Sequence, residues 1–144
     1  MEKILFIDDE PEYIDPYLDE LEKTFRVVFC QSAMESIQWI RQDDTFRAVV
    51  LDIQMPAPKD LSPSSTNNGV DTGLWVLREV YNIIVERPLP VIILTNRRSD
   101  AVEVSVHKMG FPEQMIEIHQ KINTSNKKLP RLVDAILHRW PKSD

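Results

Sequence analysis

The chain has 144 residues, 42% of them hydrophobic, and only 3 glycines, which suits one compact domain (residues 1–144) and leaves too little glycine for a glycine-rich phosphate loop. A formal net charge of -6 disfavours direct nucleic-acid binding, because a phosphate backbone repels an acidic surface. The lone Cys30 excludes an internal disulfide and a thiolate zinc site; the apolar run Ile4 to Ile7 is too short for a signal peptide, and no stretch approaches the roughly 18 apolar residues of a membrane span, so a cytoplasmic location with no membrane partner is expected.

In chain order, Ile4-Leu5-Phe6-Ile7 is of strand length and does not alternate with polar residues, the pattern of a strand buried on both faces. Ile14, Tyr17, Leu18, Leu21 and Phe25 follow at helical spacing. Val27 to Cys30 reads as a second strand buried on both faces, with Cys30 a structural thiol. Ala33, Ile37 and Ile40 mark a second helix capped by Ser32, and Ala48 to Leu51 a third strand. Pro56 to Gly69, rich in Pro, Ser, Thr and Asn, then breaks the rhythm. It predicts a long, mobile loop over residues 56–71, either a tolerated insertion or a lid or partner surface. Leu74, Leu77, Val80, Tyr81 and Ile84 form one longer stripe, with Asp71 or Thr72 placed to cap it. Val91 to Leu94 is a fourth strand. Ala101, Val102, Ser105, Val106 and Met109 make the next helix, with Ser99 or Asp100 as cap and Gly110 as stop. Met115 to Ile118 alternates and predicts an edge strand. The last helix holds Leu129, Leu132, Val133, Ile136, Leu137 and Trp140, with Pro130 in its first turn and Pro141 past its end.

This β-α alternation predicts an α/β fold, a doubly wound five-stranded parallel sheet with helices on both faces. Ligands of such sheets bind beyond the carboxyl ends of the strands, where the strand order switches. There the sequence places Asp8-Asp9-Glu10 after the first strand, Asp52 after the third, Thr95 at the end of the fourth and Lys121 after the fifth. Each has a plain reading alone: helix caps for Asp8, Asp9 and Thr95, a turn residue for Asp52, a surface lysine for Lys121. Together they make an oxygen-only set that suits a hard cation, Mg²⁺ best, because it keeps waters and accepts one or two carboxylates. An aspartate beside such an ion can attack phosphorus and form an acyl phosphate, with Lys121 and Thr95 neutralising and hydrogen-bonding the phosphoryl oxygens.

The motifs Ile4-Leu5-Phe6-Ile7-Asp8-Asp9-Glu10, Val50-Leu51-Asp52-Ile53-Gln54-Met55-Pro56, Ile92-Ile93-Leu94-Thr95 and Asp71-Thr72-Gly73-Leu74 together resemble the receiver domains of two-component response regulators, over nearly the whole chain. The resemblance implies a flavodoxin-like, CheY-like (βα)5 fold and a stand-alone phosphoprotein. It implies that Asp52 is the phosphoacceptor, that Asp9 ligates Mg²⁺ directly and Asp8 largely through water, and that Asp52 and the Gln54 backbone carbonyl complete the metal set. Thr95 and Lys121 would bind the phosphoryl group, and Gln54 and Arg97 would flank the path of attacking water. Such a chain is not an enzyme of the ordinary kind: it catalyses its own phosphorylation and dephosphorylation. Implied partners are a sensor histidine kinase or phosphotransfer protein, a downstream protein, and a second copy of the chain through the last two helices.

Four departures from that pattern stand out. Ile122 follows Lys121 where the family usually has Pro, and Ile118 stands where an aromatic switch residue usually lies. The connection after Asp52 is long, and so is the stretch from Gly110 to Lys121. His119 and Lys108 are the neighbours rejected in favour of Lys121. Only Pro141 to Asp144 follow Trp140, so output is expected through protein contacts, on the surface from Arg98 to Arg139. The alternative is a receiver-like adaptor that is never phosphorylated. A phosphohydrolase using a strand-terminal Asp fails because Gln54 occupies the place of its second Asp, and a nucleotide-binding module fails on glycine.

Overall fold

The computed structural model describes residues 1–141. Strand β1 (Lys3–Ile7) leads to helix α1 (Pro11–Glu22), β2 (Arg26–Cys30), α2 (Ala33–Gln42) and β3 (Phe46–Leu51). Then come α3 (Thr72–Glu79), α4 (Tyr81–Glu86), β4 (Val91–Thr95), α5 (Ser99–Met109), β5 (Ile116–Gln120) and α6 (Lys128–Arg139). Short 3-10 turns cover Pro63–Thr66 and Lys121–Asn123. All sheet pairings are parallel and the strand order is β2-β1-β3-β4-β5. The order reverses at β1, with β2 on one side and β3 on the other, so the crevice between β1 and β3 is the switch point.

Alternate residues of the central strands face opposite layers. Leu5, Ile7, Val49, Leu51, Val91 and Ile93 pack with α2 to α5, while Ile4, Phe6, Ala48, Val50, Ile92 and Leu94 pack with α1 and α6. Full burial of each such side chain other than Ala48 contributes about 1.5–3 kcal/mol, which explains why these runs show no polar alternation. The strand Val27 to Cys30 differs from expectation. It lies at a sheet edge, and Val27, Val28 and Phe29 are only half-buried. Cys30 is buried, and burial pushes its thiol up to about 11. The fifth strand is an edge strand as expected, shifted to Ile116–Gln120.

The long apolar stripe after Asp71 is two helices, not one. They meet at Val80 (φ -112°, ψ 16°), yet Val80 N still donates to Val76 O and Ile84 N to Val80 O, so the break is a bend. Val80, Ile83, Ile84 and Val85 are β-branched and weak helix formers, and burial of Val80 and Ile84 sets the direction instead. Ser32 caps α2 by accepting from Glu35 N, as expected. Neither Asp71 nor Thr72 caps α3: Asp71 pairs with Arg97, and the Thr72 hydroxyl donates to Met55 O at 2.7 Å. Arg98 precedes α5 and neither Ser99 nor Asp100 caps it, whereas Gly110 ends it in the left-handed region (φ 80°).

Candidate functional site

Strand register creates the site. Ile7 pairs with Leu51 across β1 and β3, so Asp8 and Asp52 leave the sheet side by side. The ladder continues one residue further, with Asp8 N donating to Cys30 O (3.1 Å) and Asp52 N to Ile7 O (3.0 Å). Both backbones are therefore fixed before their carboxylates enter the crevice. Helix α3 is pressed against the second of them. A Cβ on Gly73 would stand 2.5 Å from Asp52 O and 2.6 Å from Ile53 Cα, and only a residue without a side chain permits that approach.

Carboxylate oxygens of Asp8, Asp9 and Asp52 lie within 4.8 Å of one another. Asp8 is 1% exposed and Asp52 7%. Lys121 reaches across from beyond β5, its ammonium donating to Asp8 Oδ2 at 2.9 Å and Asp52 Oδ2 at 3.1 Å. Glu10 N donates to Asp8 Oδ1 (2.9 Å) and Gln54 N to Asp52 Oδ1 (3.3 Å). Three carboxylates thus face one ammonium, at separations where two like charges repel by about 4 kcal/mol at an effective dielectric near 20. Burial pushes the Asp52 carboxyl up to about 6, and the nearby Asp8 charge adds to this against the pull of Lys121. Asp9 is also raised, first by burial and then by Asp8. The site is asymmetric: the Asp52 and Asp8 carboxylates outweigh burial for Lys121 and raise its pKa, so the lysine keeps its proton, while Asp52 and Asp9 give up theirs less readily than an ordinary carboxyl. This oxygen-only set with surplus negative charge fits a hard divalent cation, and Asp8, Asp9, Asp52 and the Gln54 carbonyl are the groups available to hold it.

Thr95, at the end of β4 beside β3, is fully buried, and its hydroxyl accepts from Arg97 N at 3.2 Å. It does not line the cleft of about 310 Å³ over the acids; Asn96, the next residue, does, with Asp9, Glu10, Asp52, Gln54 and Asn68. Arg97 is engaged with Asp71, and Gln120 holds the Arg97 carbonyl at 3.0 Å. The carboxamides Asn68 and Asn96 escaped the sequence reading, since an Asn carries no spacing signal of its own.

Asn68 reaches the cleft because the long loop folds back. Thr66 accepts from Gly69 N, Met55 N donates to Gly69 O, and Asn67, Asn68 and Gly69 adopt successive positive φ values of 51°, 57° and 89°. The segment expected to be an irregular loop thus contains a 3-10 turn and is tied to the strand end beside Asp52. A larger cleft, about 870 Å³, lies on the α5–β5–α6 face, lined by Val104, Phe111, Ile116, Ile118, Glu117 and Arg139 among others. Acidic Asp100, Glu103, Glu113 and Glu117 line it together with basic Lys108 and Arg139. His119 points to Glu117, which also binds Arg139.

No family model matches this sequence, and a search of curated proteins finds no relative. Solved structures do match. A CheY-like response regulator receiver domain protein from Methanospirillum hungatei superposes with a TM-score of 0.71 at 20% identity, covering 96% of this chain and 95% of its own. The receiver domain of a Francisella response regulator gives 0.71 at 21% identity, covering 97% and 99%. A response regulator receiver domain protein from Clostridium thermocellum gives 0.69 at 24%, covering 97% of each. Over 96–97% of its length, then, the chain has the fold of CheY-like response-regulator receiver domains.

Proposed function

We propose that this chain is a phosphoacceptor receiver of a two-component system, phosphorylated on Asp52 with Mg²⁺ as cofactor. The observation that carries the reading is the trio Asp8, Asp9 and Asp52 within 4.8 Å, with the Lys121 ammonium bonded to two of them. A Mg²⁺ held by Asp8, Asp9, Asp52 and the Gln54 carbonyl would neutralise charge on the transferring phosphoryl group. An Asp52 carboxylate oxygen forms the new bond to phosphorus as the bond to the donor's leaving group breaks. Lys121, already beside Asp52, turns to a phosphoryl oxygen. Thr95 exchanges its bond from Arg97 N for a bond donated to the phosphoryl group, which couples the site to the β4–α5 loop. The result is an altered affinity for a downstream protein, and the α5–β5–α6 cleft is the surface that would carry it. About 1–3 kcal/mol of coupling suffices for such a switch. The phosphoryl donor is a sensor histidine kinase or phosphotransfer protein. The chain acts as one receiver unit in the cytoplasm, with self-association through α5 and α6 as a second contact mode.

The test is incubation with acetyl phosphate and Mg²⁺, followed by mobility and mass analysis. Labelling of wild type and none of Asp52→Asn is expected. An unlabelled wild type would instead support an adaptor that is never phosphorylated.

A further inference from the structure

Tyr17 lies on α1 and lines none of the acid cleft, yet it is only 8% exposed. A buried phenol hydroxyl needs a partner, and this one finds it far along the chain. It donates to the Thr124 carbonyl at 2.7 Å and lies 3.4 Å from the Lys121 carbonyl. Those two carbonyls bracket the 3-10 turn Lys121–Asn123. The turn has no apolar anchor, since none of its residues is fully buried and Ile122 is 87% exposed. Thr124 closes it from within, N donating to Lys121 O (3.1 Å) and Oγ1 to Gln120 O (2.9 Å). Tyr17 then fastens the closed turn to α1, the helix that follows the Asp8-Asp9 strand end.

We propose that Tyr17 is a positioning residue for Lys121: its hydroxyl sets the turn from which the ammonium is aimed at Asp52 and its phosphoryl group. Lysine is a point charge on a flexible stem, so its aim depends on where its backbone is held, and about 1 Å of misplacement can cost 10²-fold in rate. The inference rests on the phosphoacceptor reading and adds a residue outside the cleft.

Tyr17→Phe keeps the ring and deletes the hydroxyl. The full chain, its Tyr17→Phe and Lys121→Ala variants and the double variant are compared for Asp52 labelling by acetyl phosphate with Mg²⁺. Beryllofluoride affinity, read by ¹⁹F NMR, serves where labelling is too slow to time. Tyr17→Phe is expected to lower both about three- to tenfold, the effect of one net hydrogen bond. In the Lys121→Ala background it has no further effect, because no ammonium remains to be aimed. A merely structural role would lower both backgrounds alike, and that result overturns the proposal, as does a Tyr17→Phe indistinguishable from wild type. Should Tyr17→Phe fail to fold, Thr124→Val loosens the same turn from inside and is held to the same two outcomes. A wild type that neither labels nor binds beryllofluoride removes the phosphoacceptor reading and this inference together; a wild type that does both while Tyr17→Phe matches it removes this inference alone.

Discussion

Each end of the sheet sets a lysine against an aspartate, and the two sites are built to opposite effect. At the amino ends Lys3 binds a single carboxylate, Asp43, which also accepts from the Thr45 N–H and hydroxyl. The Lys3 ammonium also lies 4.7 Å from the Phe46 ring centroid and 5.9 Å from that of Trp39. Hydrogen bonds from Lys3 and Thr45 hold the Asp43 carboxyl down at about 2. At the carboxyl ends Lys121 faces three carboxylates, burial outweighs it, and Asp52 is pushed up to about 6. One cation and one anion with a full set of donors make a closed structural pair. A buried cluster with unmatched charge remains receptive to a further cation, which is the property the proposed function requires.

The comparison fails first if the two lysines prove interchangeable. Lys121→Ala is expected to slow Asp52 labelling by roughly 10²-fold, as loss of one preorganised charge donor does, while Lys3→Ala leaves it unchanged. Time courses with acetyl phosphate decide this.

Stability sharpens the contrast, because the two aspartates should act with opposite sign. Folded Asp52 holds its proton up to about 6 against an ordinary value of 3.8, so the folded state binds more protons than the unfolded chain across that window. Stability from this group falls as pH rises through it, and the cost is complete at pH 7. In metal-free protein at pH 7, Asp52→Asn should therefore stabilise by about 1–3 kcal/mol. Asp43, lowered from 3.8 to about 2, contributes stability above the ordinary carboxylate range that is lost as pH falls toward 2. Asp43→Asn should cost about 0.5–1 kcal/mol, the range for a partly exposed pair. Urea unfolding of both variants checks the signs.

The last expected effect is on the pH dependence of metal binding. A carboxylate must lose its proton to bind a metal, so Mg²⁺ affinity should weaken as pH falls below about 6, by up to about tenfold per unit. Calorimetric titration at neutral and acid pH measures it.

The site and the sheet were legible for different reasons from those that hid the rest. Unbroken apolar runs are the direct trace of burial on two faces, so β1, β3 and β4 could be read, and Asp8, Asp52, Thr95 and Lys121 follow because they end or succeed strands. Edge position leaves a trace only where polar residues alternate with apolar ones, as in Met115 to Ile118; Val27 to Phe29 do not alternate and looked as buried as Ile4 to Phe6. Caps were legible only where the bond is local: Ser32 reaches Glu35 three residues on, but Asp71 is claimed by Arg97, 26 residues away. The bend at Val80 and the fold-back that brings Asn68 to the acid cleft depend on tertiary packing. Tyr17 was read correctly as an inward-facing residue of α1, but periodicity says nothing about where a phenol hydroxyl points.

Thermal unfolding of the metal-free protein at neutral pH, with and without excess Mg²⁺, tests the claim of unmatched charge most directly. Mg²⁺ should raise the midpoint of wild type and not that of Asp9→Asn. Equal midpoints for wild type in the two conditions would contradict it.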